Sequence, residues 1–325
     1  MNVLLTGATG FIGFHAAKRL LADGHTVIGV DNINDYYSPE LKQARLAQLK
    51  EQPHFTFHNL ELAKKGALDA AISAQHVTHI LHLAAQAGVR YSLQNPHSYV
   101  SSNVMGHLNV LEYARHNRNL QHLAYASSSS IYGERESMQG FKETDRTRSP
   151  ASLYAATKLS GELLSESYAH LFGIPQTGMR FFTVYGPWGR PDMAYWIFTQ
   201  KILAGDPITL FAPDKMKRDF TYIDDIIDYI PKLLNKPPEH HKIYNLGNSS
   251  PNKLLDLVDA VEKACGKKAK KHIKPQQAGD VPSTFADISE AKRDFGFSPK
   301  TDLVDGIASF VDWYRDWQKN SHSPK

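Results

Sequence analysis

The chain has 325 residues, 42% hydrophobic and 22% charged, and its 37 Lys+Arg against 33 Asp+Glu leave a net charge of +4. That is chain enough for one large core or two moderate ones in an ordinary globular composition, and the charge excess is too mild to point to nucleic acid. A single cysteine, Cys265, excludes an internal disulfide and a cysteine-rich metal site. No apolar run reaches membrane-spanning length, and the first residues enter a strand without a leader pattern. A cytoplasmic protein is therefore expected, with no nucleic-acid, membrane or metal partner.

In chain order, Asn2–Thr6 reads as a buried strand that ends at glycine. Gly7-Ala8-Thr9-Gly10-Phe11-Ile12-Gly13 follows, then a helix that stops at Asp23-Gly24, then a strand over 26–30 ending at Asp31. Further strands are predicted at 54–59, 79–83, 123–126 and 176–182, with helices between them, notably over 98–117 and 154–172. Strands alternating with helices argue for an α/β fold, a Rossmann-type doubly wound parallel sheet. After about residue 180 the alternation fades at the turn-rich Gly186-Pro187-Trp188-Gly189-Arg190-Pro191. Helices over 195–204, 223–235 and 253–265 and a strand at Ile208–Phe211 then suggest a smaller C-terminal α/β substrate domain. The expected division is 1–178 for the dinucleotide and 179–325 for the substrate, with segments free to cross back.

Gly7, Gly10 and Gly13 stand where strand turns into helix. Glycines there let the backbone approach a pyrophosphate, and the helix N-terminus offers unpaired N–H groups. Asp31 ends the second strand 18 residues beyond Gly13. A carboxylate there accepts from an adenosine ribose and repels a 2′-phosphate, which favours NAD over NADP. Asn59 ends the third strand within reach of the adenine. The small residues of Leu83-Ala84-Ala85-Gln86 after the fourth would permit close cofactor contact.

The fifth strand runs into Ser127-Ser128-Ser129-Ser130-Ile131-Tyr132-Gly133, and the helix after it opens on Ser152-Leu153-Tyr154-Ala155-Ala156-Thr157-Lys158, with Ser149 or Ser152 as its cap. Tyr154 and Lys158 are four apart and share a helix face. A neighbouring ammonium is expected to pull the tyrosine hydroxyl down from its ordinary value near 10 toward working pH, making it a general base that can return its proton. A serine hydroxyl over the same oxygen suits alcohol-to-ketone chemistry on a sugar.

Four further stretches complete the pattern: Thr6 to Gly13; His82-Leu83-Ala84-Ala85-Gln86-Ala87-Gly88-Val89-Arg90 with Asn103-Val104-Met105-Gly106; Arg180-Phe181-Phe182-Thr183-Val184-Tyr185-Gly186-Pro187; and Lys217-Arg218-Asp219-Phe220-Thr221-Tyr222-Ile223-Asp224-Asp225. Over nearly its whole length the chain resembles extended short-chain dehydrogenase/reductases of the nucleotide-sugar epimerase/dehydratase family. The nearest group is the UDP-glucuronate 4-epimerases, suggested by Asn34-Asp35-Tyr36-Tyr37, Gly189-Arg190-Pro191-Asp192-Met193-Ala194 and Gly279-Asp280-Val281-Pro282. The resemblance implies tightly bound NAD contacted also by Phe11, Ile12, Asn32, Leu60, Asn103 and Phe181. It implies that Tyr154 takes the sugar 4-hydroxyl proton while hydride passes from C4, that Ser128 holds the same oxygen, and that Lys158 holds the nicotinamide ribose. Ser129 becomes the catalytic hydroxyl if the alignment slips by one residue. Relatives carry Asp where Asn59 stands, which weakens the adenine contact.

Related dehydratases place an Asp-Glu pair, and decarboxylases a Glu, where this chain has Ser129-Ser130. Epimerisation remains when that acid/base equipment is missing. For a uronate carboxylate, Arg190 offers a bidentate contact, with hydroxyls from Ser129, Ser130 and Thr183. The alternative for Arg190 is an ion pair within its turn, which would favour a neutral UDP-sugar such as UDP-glucose or UDP-N-acetylglucosamine. By resemblance Arg218 contacts the diphosphate, Asp280 the uridine ribose, and Asp192, Met193 and Ala194 line the nucleotide pocket. A binding module without chemistry and a net dehydrogenase releasing NADH are the readings from other classes. The family resemblance also implies a homodimer paired through the helices at 98–117 and 154–172.

Overall fold

The computed structural model describes residues 1–72, 75–134, 139–276 and 283–321. The strands in chain order are β1 (Asn2–Thr6), β2 (Thr26–Asp31), β3 (Phe55–Asn59), β4 (His79–His82), β5 (His122–Ser128), β6 (Gln176–Phe181), β7 (Thr183–Tyr185), β8 (Ile208–Phe211), β9 (Lys217–Tyr222), β10 (His241–Leu246), β11 (Pro251–Lys253), β12 (Lys271–Lys274) and β13 (Ser283–Thr284). Seven of them form one parallel sheet in the order β10-β6-β5-β4-β1-β2-β3. The strand order reverses between β1 and β4, the place where a doubly wound sheet opens a crevice at its carboxyl edge. β1 shows why both faces are covered: Val3 and Leu5 pack on one side with Phe14 and Ala17, Leu4 on the other with Ile28, Val110 and Leu111.

β10 is a finding that local patterning does not give. It comes from beyond residue 180, yet it lies beside β6 in register from Gln176 to Phe181. The region predicted as one helix over 223–235 is two, Ile223–Ile227 and Ile230–Leu234, which pack on the same sheet. Around them, β7, β11 and β13 pair with β9, and β8 pairs with β12. A separate core of Tyr195, Trp196, Phe198, Leu257, Val261 and Phe310 lies beneath this part. No helix among the described residues is long and apolar enough to cross a membrane.

Two boundaries shape the site. The segment predicted as helix over 98–117 is helical at Pro96–Tyr99 and Gly106–His116, with a π-helical turn at Val100–Met105 between them. β5 runs two residues further than predicted, so Ser127 and Ser128 end the strand itself.

Candidate active site

β1 ends in a turn with no room for a side chain at Gly7, nor at Gly13 in the helix that follows. Gly7 has φ +74°, and a Cβ on it would lie 2.7 Å from the Ala84 nitrogen on the neighbouring loop. A Cβ on Gly13 would lie 2.0 Å from the Gly7 carbonyl oxygen. The helix Phe11–Ala22 starts after Gly10 with no acidic residue in its first turn, so no internal carboxylate competes for its N–H groups. The donor set and the bare backbone fit the pyrophosphate of a dinucleotide. At the end of β2, Asp31 accepts from the Thr9 N–H (3.0 Å) and the Ile33 N–H (2.9 Å), and both oxygens keep acceptor capacity for a ribose.

One cleft runs from this turn to the carboxyl end of β5. Gly7, Gly10, Phe11, Ile12 and Gly13 line it, as do Asp31, Asn32 and Leu60. Leu83, Ala84, Ala85, Gln86 and Phe181 close its far side, and Ser128, Tyr154, Lys158, Arg190 and Met193 its reactive end. Asn59, paired with Asp31, is exposed and does not line it. Asn103 acts from behind. The π-helical turn points its amide at Gln86, where it accepts from the backbone N–H (2.7 Å), donates to the carbonyl (3.0 Å) and donates to Thr157 (3.0 Å), which fixes the 83–86 loop.

The helix Leu153–Phe172 is capped by Ser152, whose hydroxyl accepts from the Ala155 N–H at 3.1 Å, and it ends at Gly173 in the left-handed conformation. It brings Tyr154 and Lys158 against the end of β5, with the Ser128 hydroxyl near enough to that of Tyr154 to hold it down. The Ser128 hydroxyl accepts from the Ser130 hydroxyl at 3.0 Å and from the Ser130 N–H at 3.2 Å. Ser127 turns the other way and donates to Glu162.

The expected acidification of Tyr154 by Lys158 is not seen: the hydroxyl lies above its ordinary value. Burial pushes the Tyr154 hydroxyl up, while the Arg190 charge and the Ser128 hydroxyl pull it down. Lys158 donates from Nζ to the Ala126 carbonyl at 3.0 Å, and burial brings it down to about 8 against the favourable charge of Glu162. The cation that bears on the tyrosine is Arg190.

Arg190 forms a two-point ion pair with Asp192, Nε to Oδ1 at 3.0 Å and a terminal nitrogen to Oδ2 at 2.6 Å. The other terminal nitrogen makes no hydrogen bond among the described residues. Tyr36 reaches across the cleft and donates to the same Asp192 oxygen at 3.0 Å. Met193 precedes the helix Ala194–Ala204, and Ser129 and Thr183 flank the reactive end without lining the cleft. Arg218 lies on β9 and donates to the Lys217 carbonyl at 2.9 Å. Asp280 and the 279–282 motif lie outside the described residues.

Sequence reasoning missed several lining residues. Lys42, brought down to about 8 by burial, donates to the Asn34 carbonyl (2.5 Å) and side chain (2.8 Å), and Glu61 accepts from Asn32 at 2.7 Å. Their signal was position alone, shortly after the strands whose ends build the site.

A doubly wound sheet with a glycine turn at its switch point and a Ser-Tyr-Lys group at the next strand end defines a dinucleotide-dependent enzyme of sugar-alcohol chemistry. The sequence profile described as "NAD dependent epimerase/dehydratase family" matches residues 3–247, and the chain belongs to this family. It is 48% identical to an uncharacterized 37.6 kDa protein from Escherichia coli O111:H-, over 98% of this chain and 100% of that one. A probable UDP-glucuronate 4-epimerase from Rhizobium meliloti is 44% identical, over 99% of each chain. Among solved structures, the UDP-glucuronic acid 4-epimerase from Bacillus cereus in complex with UDP-glucuronic acid and NAD superposes with a TM-score of 0.92 at 33% identity, over 98% of this chain and 100% of that one.

Proposed function

We propose that the protein is an NAD-dependent 4-epimerase that interconverts UDP-glucuronate and UDP-galacturonate through a transient 4-keto sugar. The observation that carries this reading is a fixed guanidinium, Arg190, in the same cleft as the Ser128–Tyr154 pair and close enough to act on Tyr154. The full-length relatives support it.

NAD, when bound, supplies the hydride acceptor and gives the same hydride back, so no net oxidant is needed. The glycine turn would hold its pyrophosphate, Asp31 its adenosine ribose and Lys158 its nicotinamide ribose. Tyr154 takes the proton of the 4-hydroxyl as C4 is oxidised, and returns it once hydride has come back to the opposite face of the ketone. Ser128 donates to that oxygen as it turns from alcohol to ketone. Ser129 and Ser130 carry no carboxyl that could move a proton at a neighbouring carbon, so dehydration has no base. Arg190, which lines the cleft, would hold the uronate carboxylate, with the hydroxyls of Ser129, Ser130 and Thr183 flanking it. The 4-keto uronate is a β-keto acid. Keeping its carboxylate near the plane of the ketone prevents loss of CO2, because the C–C bond then overlaps poorly with the carbonyl. Arg218 and Asp280 serve the diphosphate and the uridine ribose.

One observation favours a neutral sugar instead: Asp192 already engages Arg190. The unbonded terminal nitrogen, and the family likeness, weigh toward the uronate. Proton NMR of the purified protein with UDP-glucuronate and no added NAD tests the choice. Growth of UDP-galacturonate without NADH is the expected result. Conversion of UDP-glucose or UDP-N-acetylglucosamine alone would replace the uronate, and no turnover of any of the three even with NAD supplied would point to another nucleotide sugar or to a binding module.

The reading extends to organisation. Residues 1–178 would bind the dinucleotide and 179–325 the nucleotide sugar, with β10 returning to the first unit. Val100 and Met105 on one helix and Leu163 and Leu171 on the next are 44%, 45%, 65% and 64% exposed, an apolar face that a second copy of the chain would cover in a homodimer. Light scattering of the wild type and of Leu163→Asp tests this. A monomer for both removes the dimer. A cytoplasmic location is part of the same proposal.

A further inference from the structure

Arg45 is the largest fully buried side chain that the mechanism above does not use. It sits on the helix Pro39–Lys50, and all its hydrogen-bond partners are neutral. One terminal nitrogen donates to the Thr9 carbonyl (2.9 Å) and the Tyr37 hydroxyl (2.9 Å), the other to the Trp188 carbonyl (2.5 Å) and the Gly189 carbonyl (2.8 Å). Its Nε has no partner, and no carboxylate among the described residues pairs with it. A buried, unpaired cation is expensive, so a fold that keeps one without a counter-charge has a use for its geometry.

That geometry joins two loops 143 and 144 residues from Arg45 on one side and 36 on the other. Thr9 belongs to the glycine turn, where its N–H is already held by Asp31. Trp188 and Gly189 lead directly into Arg190. Their turn is strained, since Trp188 is a bulky residue at φ +58°. The Trp188 ring packs on Phe14 and on Trp313 and Trp317 of the C-terminal helix, while the hydrogen bonds of the turn come from the cofactor side and from its own helix. Arg45 takes two successive carbonyls, His15 donates from Nε2 to the Pro187 carbonyl at 2.9 Å, and the Arg190 N–H donates to the Tyr195 hydroxyl at 3.2 Å. Burial holds His15 neutral, down to about 4, with Arg45 and Lys18 as further opposing charges, so the bond to Pro187 is that of the tautomer protonated at Nε2.

We propose that Arg45 is a positioning residue that fixes the glycine turn and the Arg190 turn against each other, so that one buried guanidinium sets both dinucleotide retention and the placing of the substrate carboxylate. It rests on the uronate reading above for its second half. A planar fork can reach four acceptors on three segments, and an ammonium at the same place cannot. Its charge also lies behind the turn that receives the pyrophosphate, adding to the positive potential there.

Arg45→Lys, Arg45→Met and His15→Phe in the full chain test the proposal, each first shown to be folded by circular dichroism. NAD released per protomer on denaturation, KM against kcat for UDP-glucuronate, and the ratio of UDP-pentose to UDP-galacturonate are read in each. Both Arg45 variants should lose most of their NAD and, with NAD added back, raise KM and the pentose ratio about tenfold or more, because the carboxylate site has moved. His15→Phe removes only the Pro187 tie, so it should raise the pentose ratio and keep its NAD. Folded Arg45 variants with wild-type NAD content and product ratio would overturn the proposal, as would variants that lose only thermal stability. If the wild type does not turn over UDP-glucuronate, the uronate reading fails, while the NAD content still decides whether Arg45 supports the glycine turn.

Discussion

Glu162→Gln separates stability from chemistry at one buried carboxylate. Glu162 is one helical turn beyond Lys158 and accepts from Arg180 twice, at 2.9 and 2.8 Å, and from the Ser127 hydroxyl, with both charged side chains about as buried as the core. Arg180 is held further by Tyr132 and the Glu143 carbonyl, so it cannot follow its partner to water. Removing one member of a buried pair leaves the other uncompensated and destabilises by about 3–5 kcal/mol. At about 2 °C per kcal/mol for a chain of this size, the melting temperature should fall by roughly 6–10 °C. The second effect is on Lys158, which burial brings down to about 8 and which Glu162 alone holds up. A unit charge about 6 Å away at an effective dielectric of about 20 is worth roughly 3 kcal/mol, or about two pH units as an upper limit. The sign is fixed: Lys158 is charged below its pKa, so losing Glu162 moves the loss of charge to lower pH. The kcat–pH profile of the folded variant should have its basic limb one to two units lower, with activity recovered toward pH 6. A melting temperature that falls while the basic limb stays in place would show that Glu162 braces Arg180 and does not tune Lys158.

Tyr154→Phe should lower epimerisation by about 10²–10⁴-fold with NAD content unchanged and no reduced nicotinamide formed on adding UDP-glucuronate; turnover within tenfold of wild type would take Tyr154 out of the base role. Arg190→Ala should raise the pentose by-product relative to UDP-galacturonate, and an unchanged ratio would break the link between this guanidinium and the carboxylate. Stability should fall in mild acid. Burial holds His15 and His122 down to about 4 and His107 to about 3. The unfolded chain therefore takes up protons first, so the stability these groups provide is full above pH 6.5 and declines toward pH 4. The decline is about 2 kcal/mol per histidine by pH 5, readable as a falling urea midpoint between pH 7.5 and 5. A constant midpoint would contradict the burial of these rings.

The main sheet and the glycine turn were legible because each depends on local rules: a short apolar run, a glycine where strand meets helix, an acid at the next strand end. β10 was not, because its neighbour β6 is about sixty residues earlier and its own pattern fits an edge strand anywhere. The π-helical turn at Val100–Met105 was read as continuous helix, since nothing in Val-Ser-Ser-Asn-Val-Met breaks a helix; its cause is tertiary, the docking of Asn103 on Gln86. Arg45 was the least legible of all. In Pro39–Lys50 it is one of several charged residues on a weakly patterned helix, and only contacts with the 188–189 turn bury it.

The spacing of Tyr154 and Lys158 gave the shared face, but the charge that bears on the tyrosine here is that of Arg190, and this bears on specificity. Lys158 is drawn to the Ala126 carbonyl, while Arg190, from a turn 36 residues later, lowers the tyrosine. The group proposed to hold the uronate is thus also the group whose charge opposes the burial-driven rise of the Tyr154 hydroxyl. Asp192 opposes Arg190 at Tyr154, and a substrate carboxylate arriving at the same guanidinium adds to that opposition. A neutral sugar leaves Arg190 with Asp192 alone and meets a more acidic tyrosine. Discrimination between the two substrates therefore has two opposed parts, tighter binding of the uronate and a less acidic Tyr154 once it is bound, and a binding constant alone captures only the first.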